Sequence, residues 1–279
     1  GRPAEAKLPG QVGHFPFDEY KDGKLPNFVA ESKQASSSQK NKIVPGKNGN
    51  ALRLTGDDGV NLGIGNFKRT APFSVTLWMN TPHHKERTVV FSRSRAWTDA
   101  GSRGYQMLLR DGHLSVSLIH FWPGNAISVR TRVKLPKNEW HHVAITYDGS
   151  TKARGLEIYV DGKLAEIEIH KDNLYKNITG GGGDTIVIGQ RFRDVGFAGG
   201  LVDDFRVFDR ELTGGEVAQI HDGGSLAALL AKPADALGQA ERAALRDYFL
   251  ATASEPHAAQ LAKLRTARER VTKLLDGRG

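Results

Sequence analysis

Tyr105-Gln106-Met107-Leu108-Leu109-Arg110-Asp111-Gly112-His113-Leu114-Ser115-Val116-Ser117-Leu118 decides the fold class. In its second half Leu114, Val116 and Leu118 share one face and Ser115 and Ser117 the other, the period-two pattern of a half-buried strand. Asp111-Gly112 supplies the positive φ angles that a tight hairpin turn requires. The stretch therefore reads as two antiparallel strands and their turn. Two further Asp-Gly pairs, Asp148-Gly149 and Asp161-Gly162, punctuate segments of the same kind. The last joins Leu156–Val160 to Lys163–Ile169. Strands are also predicted at Phe73–Met79, Thr88–Ser92, His141–Tyr147, Thr185–Ile188 and Leu201–Phe208. Many short strands with glycine-rich turns and almost no helical periodicity predict two stacked antiparallel sheets, an all-β sandwich. The segment from Ser32 to Asn50 and the run Gly180-Gly181-Gly182-Gly183 read as loops. No Lys-Ser/Thr follows the glycines, so a phosphate cradle is not indicated.

After Leu212 the character changes. Thr213 is placed to cap a short helix through Ile220. Beyond Lys232-Pro233 the chain is rich in Ala, Leu and Arg. Leu245, Tyr248 and Phe249 fall at helical spacing, as do Leu261, Leu264, Ala267, Val271 and Leu274. An αα-hairpin is predicted over about 239–275. The organisation expected is an extension at 1–10, a β-sandwich at 11–222 and a helical hairpin or linker at 223–279.

At 279 residues, with 39% hydrophobic residues, the chain is long enough and apolar enough to bury a real core. No stretch approaches the ~18 apolar residues of a membrane helix. Gly1-Arg2-Pro3-Ala4-Glu5 reads as the trimmed edge of a larger protein rather than as a signal peptide. The absence of cysteine excludes disulfides, thiolate metal sites and cysteine nucleophiles from this sequence. A net charge of +8 favours anionic partners. The basic residues are scattered, and there is no nucleic-acid-binding motif.

Several separated segments carry a resemblance. They are Phe15-Pro16-Phe17-Asp18, Ala51-Leu52-Arg53-Leu54-Thr55-Gly56-Asp57-Asp58-Gly59-Val60, Pro72-Phe73-Ser74-Val75-Thr76-Leu77-Trp78-Met79 and Trp140-His141-His142-Val143-Ala144-Ile145-Thr146-Tyr147-Asp148-Gly149. Ile158-Tyr159-Val160-Asp161-Gly162-Lys163, Ile188-Gly189 and Phe197–Leu212 follow in order. Together they resemble the LamG-like jelly-roll domain of the concanavalin A-like lectin/glucanase superfamily, over most of residues 11–220. Leu118–Ile127 and Ala244–Ala251 are similar to large planctomycete proteins that combine cytochrome-c-like domains, domains of unknown function and an inserted LamG module. That likeness implies a central module, a periplasmic or extracellular setting and neighbouring domains of the same chain as partners. The haem-binding Cys-x-x-Cys-His of such proteins is absent.

The function expected is non-catalytic carbohydrate binding, for an anionic or complex polysaccharide. Trp78 and Trp140 lie within strand motifs and read as core. Trp97 lies in a polar stretch and Trp122 before the turn Pro123-Gly124-Asn125, where an indole can stack on a sugar ring. Arg103, Tyr105, His120 and Asn125 flank these tryptophans. Arg130 and Arg132 alternate on one strand, and Arg191 and Arg193 repeat that spacing; such guanidinium groups grip carboxylate or sulfate in pairs. The alternative for these residues is loop packing and a solvated, ion-paired face. The resemblance also implies one structural Ca²⁺ between the opening and last strands, held by Asp18 with Asp203 or Asp204; Asp57 and Asp58 are alternatives, and turn capping the simpler role. The Glu-x-Asp-x-x-Glu of related glucanases is absent, and Glu166 and Glu168 share a strand face without a third member. A docking module for neighbouring domains and, less favoured, a glycoside hydrolase or lyase are the competing readings.

Overall fold

The computed structural model describes residues 8–96 and 102–277. Seventeen strands form two antiparallel sheets among the described residues. The first contains β1 (Gln11–Phe15), β4 (Lys42–Pro45), β5 (Asn50–Arg53), β7 (Phe73–Asn80), β12 (Trp140–Tyr147), β13 (Leu156–Val160), β14 (Lys163–Leu164) and β17 (Leu201–Phe208). Its order is β14-β13-β12-β7-β17-β5-β4, with β1 also paired to β17. The second contains β2 (Lys24–Leu25), β3 (Ala35–Ser36), β6 (Val60–Asn61), β8 (Thr88–Arg93), β9 (Gly104–Arg110), β10 (His113–Phe121), β11 (Asn125–Thr131), β15 (Ile167–Asn173) and β16 (Val187–Ile188). Its order is β15-β11-β10-β9-β8-β16-β6-β3-β2.

The alternation read from the sequence sets the core. Leu114, Val116 and Leu118 join Met107, Leu109, Ile127 and Val129 on the inner face of the second sheet. They meet Phe73, Val75, Leu77, Val143, Ile145, Phe205 and Val207 of the first. Phe67 and Phe73 stack with ring centroids 4.9 Å apart, and Tyr105 lies 4.7 Å from Phe73. Burial of these side chains, at roughly 25 cal/mol per Å² of apolar surface, dominates the stability of such a sandwich.

Two Asp-Gly turns form as expected: Asp111 and Gly112 have φ of 52° and 86°, Asp161 and Gly162 of 50° and 76°. The third pair instead opens the longer loop 148–155, where Ser150 N donates to Asp148 Oδ1 at 2.7 Å. The single strand predicted at Lys163–Ile169 is in fact two. The chain leaves the first sheet after Leu164 and joins the second at Ile167, because Ala165 N bonds to Ile158 O whereas Arg132 N bonds to Glu166 O. Glu166 and Glu168 therefore do not lie on one strand. The predicted loop from Ser32 to Asn50 contains the two-residue strand β3, paired between β2 and β6, and the edge strand β4.

Helix α1 (Gly214–Asp222) is fastened by a capping box: Thr213 accepts from Glu216 N, and the Glu216 carboxylate accepts from Thr213 N. Val217 and Ile220 then seal Ala144, Tyr159 and Phe208 on the outer face of the first sheet. Helices α2 (Ser225–Ala231), α3 (Gln239–Thr252) and α4 (Glu255–Asp276) follow. The sequence signalled the last two; α2 is too short to show a period. No helix among the described residues is long and apolar enough to cross a membrane.

Candidate functional site

The segment 173–186 organises one end of the second sheet. Strand β10 ends and β11 begins at the turn 122–124, which contains a cis Trp122-Pro123 bond. Asn125 is buried, and its Oδ1 accepts from Tyr175 N at 3.0 Å and from Lys176 N at 3.3 Å. Asn173 Nδ2 donates to Gly124 O at 2.8 Å, and His120 Nδ1 lies 2.5 Å from Asn177 O. The hairpin tip and the neighbouring segment are thus stitched together through side-chain amides. They present Phe121, 56% exposed, Tyr175, 44% exposed, and a partly exposed Trp122.

Further along this rim, Arg93 donates to Ile178 O at 2.6 Å. The glycine run passes so close to the strand ends at Gly181 and Gly183 that a side chain there is crowded out. A Cβ at Gly183 would sit 2.5 Å from Arg95 N, and one at Gly181 3.0 Å from Arg103 Cβ. Close approach explains Gly181 and Gly183, a reason the sequence alone did not supply.

Among the expected site residues, His120, Trp122, Asn125 and Arg103 therefore share one rim. Asn125 acts there through the backbone it holds. Trp97 lies outside the described residues. Tyr105 is 1% exposed; its ring is in the core and its hydroxyl donates to Gly65 O at 2.7 Å, so it offers no surface to a ligand. Arg130 and Arg132 sit at the far end of β10–β11, where both reach Glu168, at 3.4 and 3.3 Å. Arg191 is buried and bound to Asp194, which also takes Arg87 at 2.7 Å. Burial opposes the charge on Asp194, yet the two guanidinium groups outweigh it and hold the carboxyl below its ordinary range. Arg191 is therefore structural. Arg193 is exposed beside Phe192, which forms an isolated parallel bridge with Ala96, just beyond the end of β8. Arg130, Arg132 and Arg191 therefore do not converge with Arg103 as the sequence suggested. Phe121 and Tyr175 were missed there, because an aromatic at a strand end resembles core until its exposure is known.

The outer face of the second sheet carries a polar row. Ser92, Gln106, Ser117 and Ser128 stand opposite one another on successive strands and so share a face. Ser117 Oγ donates to Ser128 Oγ at 2.8 Å. Trp78 is buried as expected, but on the outer face of the first sheet, with Lys47 Nζ 4.6 Å from its ring centre. Trp140 begins β12 and is only partly buried.

Of the acidic residues, Asp18 and Asp203 reach one turn. Asn48 N donates to Asp203 Oδ2 at 2.8 Å, and Asn50 N to Asp18 Oδ1 at 2.9 Å. Gly46 and Gly49 leave room for these carboxylates: a Cβ would lie 2.8 Å from Asp203 Oδ2 and 2.5 Å from Asp18 Oδ1. Asp204 is committed elsewhere, 2.6 Å from His14 Nε2 and 2.7 Å from Arg206. Asp58 accepts from Thr55 of its own turn and from Ser38 of the preceding loop. Among the described residues no group of three or more His, Asp or Glu side chains is arranged to hold a metal.

The layered sheets and their end loops define a two-sheet lectin-type sandwich. A family profile described as the concanavalin A-like lectin/glucanases superfamily (Laminin_G_3) matches residues 54–218, and the chain belongs to that family. Among curated protein sequences no significant relative is found. The binding domain of Paraclostridial Mosquitocidal Protein 1 is similar in structure, with a TM-score of 0.59 at 15% identity, over 77% of this chain and 52% of that one. The receptor binding domain of botulinum neurotoxin D gives 0.54 at 16%, over 77% and 52%. The chain thus spans about half the length of these toxin domains. Domain 4 of AbnA, a GH43 extracellular arabinanase from Geobacillus stearothermophilus solved in complex with arabinotriose, gives 0.53 at 19%, over 78% and 100%. At these identities the likeness establishes the fold.

Proposed function

We propose that this chain is a non-catalytic carbohydrate-binding module whose ligand lies on the rim formed by the hairpin tip 121–125 and the segment 173–177. The observation that carries the reading is the set of aromatic residues, exposed Phe121 and Tyr175 and partly exposed Trp122, on two backbone segments pinned to each other by Asn125 and Asn173. Aromatic faces stack on sugar rings, and neighbouring polar groups then fix the hydroxyls. Preorganised segments lose little entropy on binding. Lys176 and Arg103 on the same rim, with the net charge of +8, favour an acidic polysaccharide. The arabinotriose complex of the similar arabinanase domain supports a glycan as the ligand class. Placement in a larger, periplasmic or extracellular protein belongs to the same proposal.

A structural calcium ion is part of the same proposal. Asp18 and Asp203, with backbone carbonyls of the turn 46–50, would supply the hard oxygen donors it takes and would tie the opening segment to β17. Asp204, paired with His14 and Arg206, would not contribute.

A glycan array on the whole chain, with and without a calcium chelator, tests the reading. Trp122→Ala and Tyr175→Ala are each expected to abolish glycan retention while melting as wild type does. Retention by both variants would place the ligand elsewhere. A second reading, docking of neighbouring domains, is favoured by the exposed Phe249, Leu261, Leu264, Val271 and Leu274 of α3 and α4.

A further inference from the structure

At the opposite end of the sandwich from that rim, a cavity of about 300 Å³ opens between the sheets. Leu114, Leu135, Pro136 and Val160 line it, and Val133 and Leu164 stand at its sides. The last two are large apolar residues left in solvent, Val133 at 76% exposure. Two exposed aliphatic side chains flanking an apolar recess mark a place where something apolar is covered in use. The volume is at the small end for ligand pockets, enough for one or two rings.

Two polar features give the recess a chemical preference. Lys134 and Lys163 line it with no ion-pair partner among the described residues, against a single uncommitted carboxylate, Glu166. The second carboxylate there, Asp161, is already spent: its Oδ2 lies 2.8 Å from His141 Nδ1, and its Oδ1 accepts from His142 N at 2.9 Å. That contact places the proton of a neutral His141 ring on Nδ1 and leaves Nε2 as an acceptor. Nε2 has no partner among the described residues, although His141 is only 8% exposed and lines the cavity. A buried acceptor left unmatched costs about 1–3 kcal/mol.

We propose that this recess is a second, separate binding site for a small amphipathic anion: an aromatic body with a carboxylate held at the mouth by Lys134 and Lys163 and a hydroxyl directed to His141. It shares no residue with the glycan rim, so each site stands or falls without the other.

The test is titration of the whole chain with 6-hydroxy-2-naphthoate, followed by fluorescence and calorimetry, beside 2-naphthol and 2-naphthoate. Saturable binding at one site per chain is expected, weaker for both truncated probes. Lys163→Glu alters an exposed side chain, so the fold is retained; it should weaken binding by roughly fivefold or more. Ala165→Trp should fill the recess and abolish binding, whereas Trp122→Ala should leave it unchanged. Absence of saturable binding to the wild type overturns the proposal. So does binding that survives both Lys163→Glu and Ala165→Trp.

Discussion

His142 is buried on the outer face of the first sheet, between Trp78 at 5.4 Å and His221 of α1 at 5.8 Å, and neither ring nitrogen has a partner among the described residues. Desolvation first, then repulsion from His221 and Arg206, pushes its pKa down to about 3, against the opposing pull of Asp204 and Asp161. Lys47, over the same tryptophan, adds another cation to that face. The folded chain thus keeps the ring neutral while the unfolded chain protonates it near pH ~6.5. Its contribution is intact above that pH and is lost progressively as the pH falls toward 3. On the order of 3 kcal/mol should disappear between pH ~6.5 and ~4 on this account. His142→Phe fills the same space without stranded nitrogens. It is expected to raise the melting temperature and to flatten the difference between melts at these two pH values; an unchanged pH profile would refute the assignment. At Asp194 the logic reverses. Asp194→Ala leaves buried Arg191 and the adjacent Arg87 without their shared carboxylate, and a loss of about 3–5 kcal/mol in denaturant unfolding is expected. Such pairings were invisible in the sequence: Arg191 and Arg193 stand two residues apart there and read alike, yet one is buried on Asp194 and the other exposed.

At the scale of elements, hairpins with a strict period of two were legible because local chemistry fixes them. Asp111-Gly112 and Asp161-Gly162 specify their own turns, and Leu114, Val116 and Leu118 specify their own face. Crossings between sheets were not, since Lys163–Ile169 alternates well enough for one strand and only its partners, Ile158 and Arg132, divide it. The rim likewise depends on contacts distant in sequence. Asn125 holds two backbone N–H groups some fifty residues away, so Asn125→Ala should release them at a cost of about 1–3 kcal/mol. Hydrogen exchange is expected to accelerate at the amides of Tyr175 and Lys176 while those of β9 and β10 remain protected. Equal protection throughout would show that the two segments are held by other means. Glycan retention should weaken in the same variant, because the aromatic residues would then be presented by a looser loop.

For the whole molecule, one hydrophobic core lies between the sheets and a smaller one beneath α1, and the last two helices add nothing to either. None of the apolar side chains of α3 and α4 is buried. Their ties to the sandwich are polar: Arg69 donates to Thr272 Oγ1 at 2.8 Å, and Arg268 to Asp148 O at 3.2 Å. Arg69 also donates to Leu174 O at 3.4 Å and so keeps a partner if α4 is removed. A chain ending after Ala231 should therefore fold with the β-sheet circular dichroism of the full chain and melt in one cooperative step. Its stability should fall by only ~1–3 kcal/mol, the cost of leaving a guanidinium nitrogen unpaired. Apolar area exposed on α3 and α4 would disappear with them, so solubility should rise. Loss of the cooperative melt would instead mean that the helices complete the sandwich, and the stripe from Leu261 to Leu274 would then belong to this fold rather than to a neighbour's.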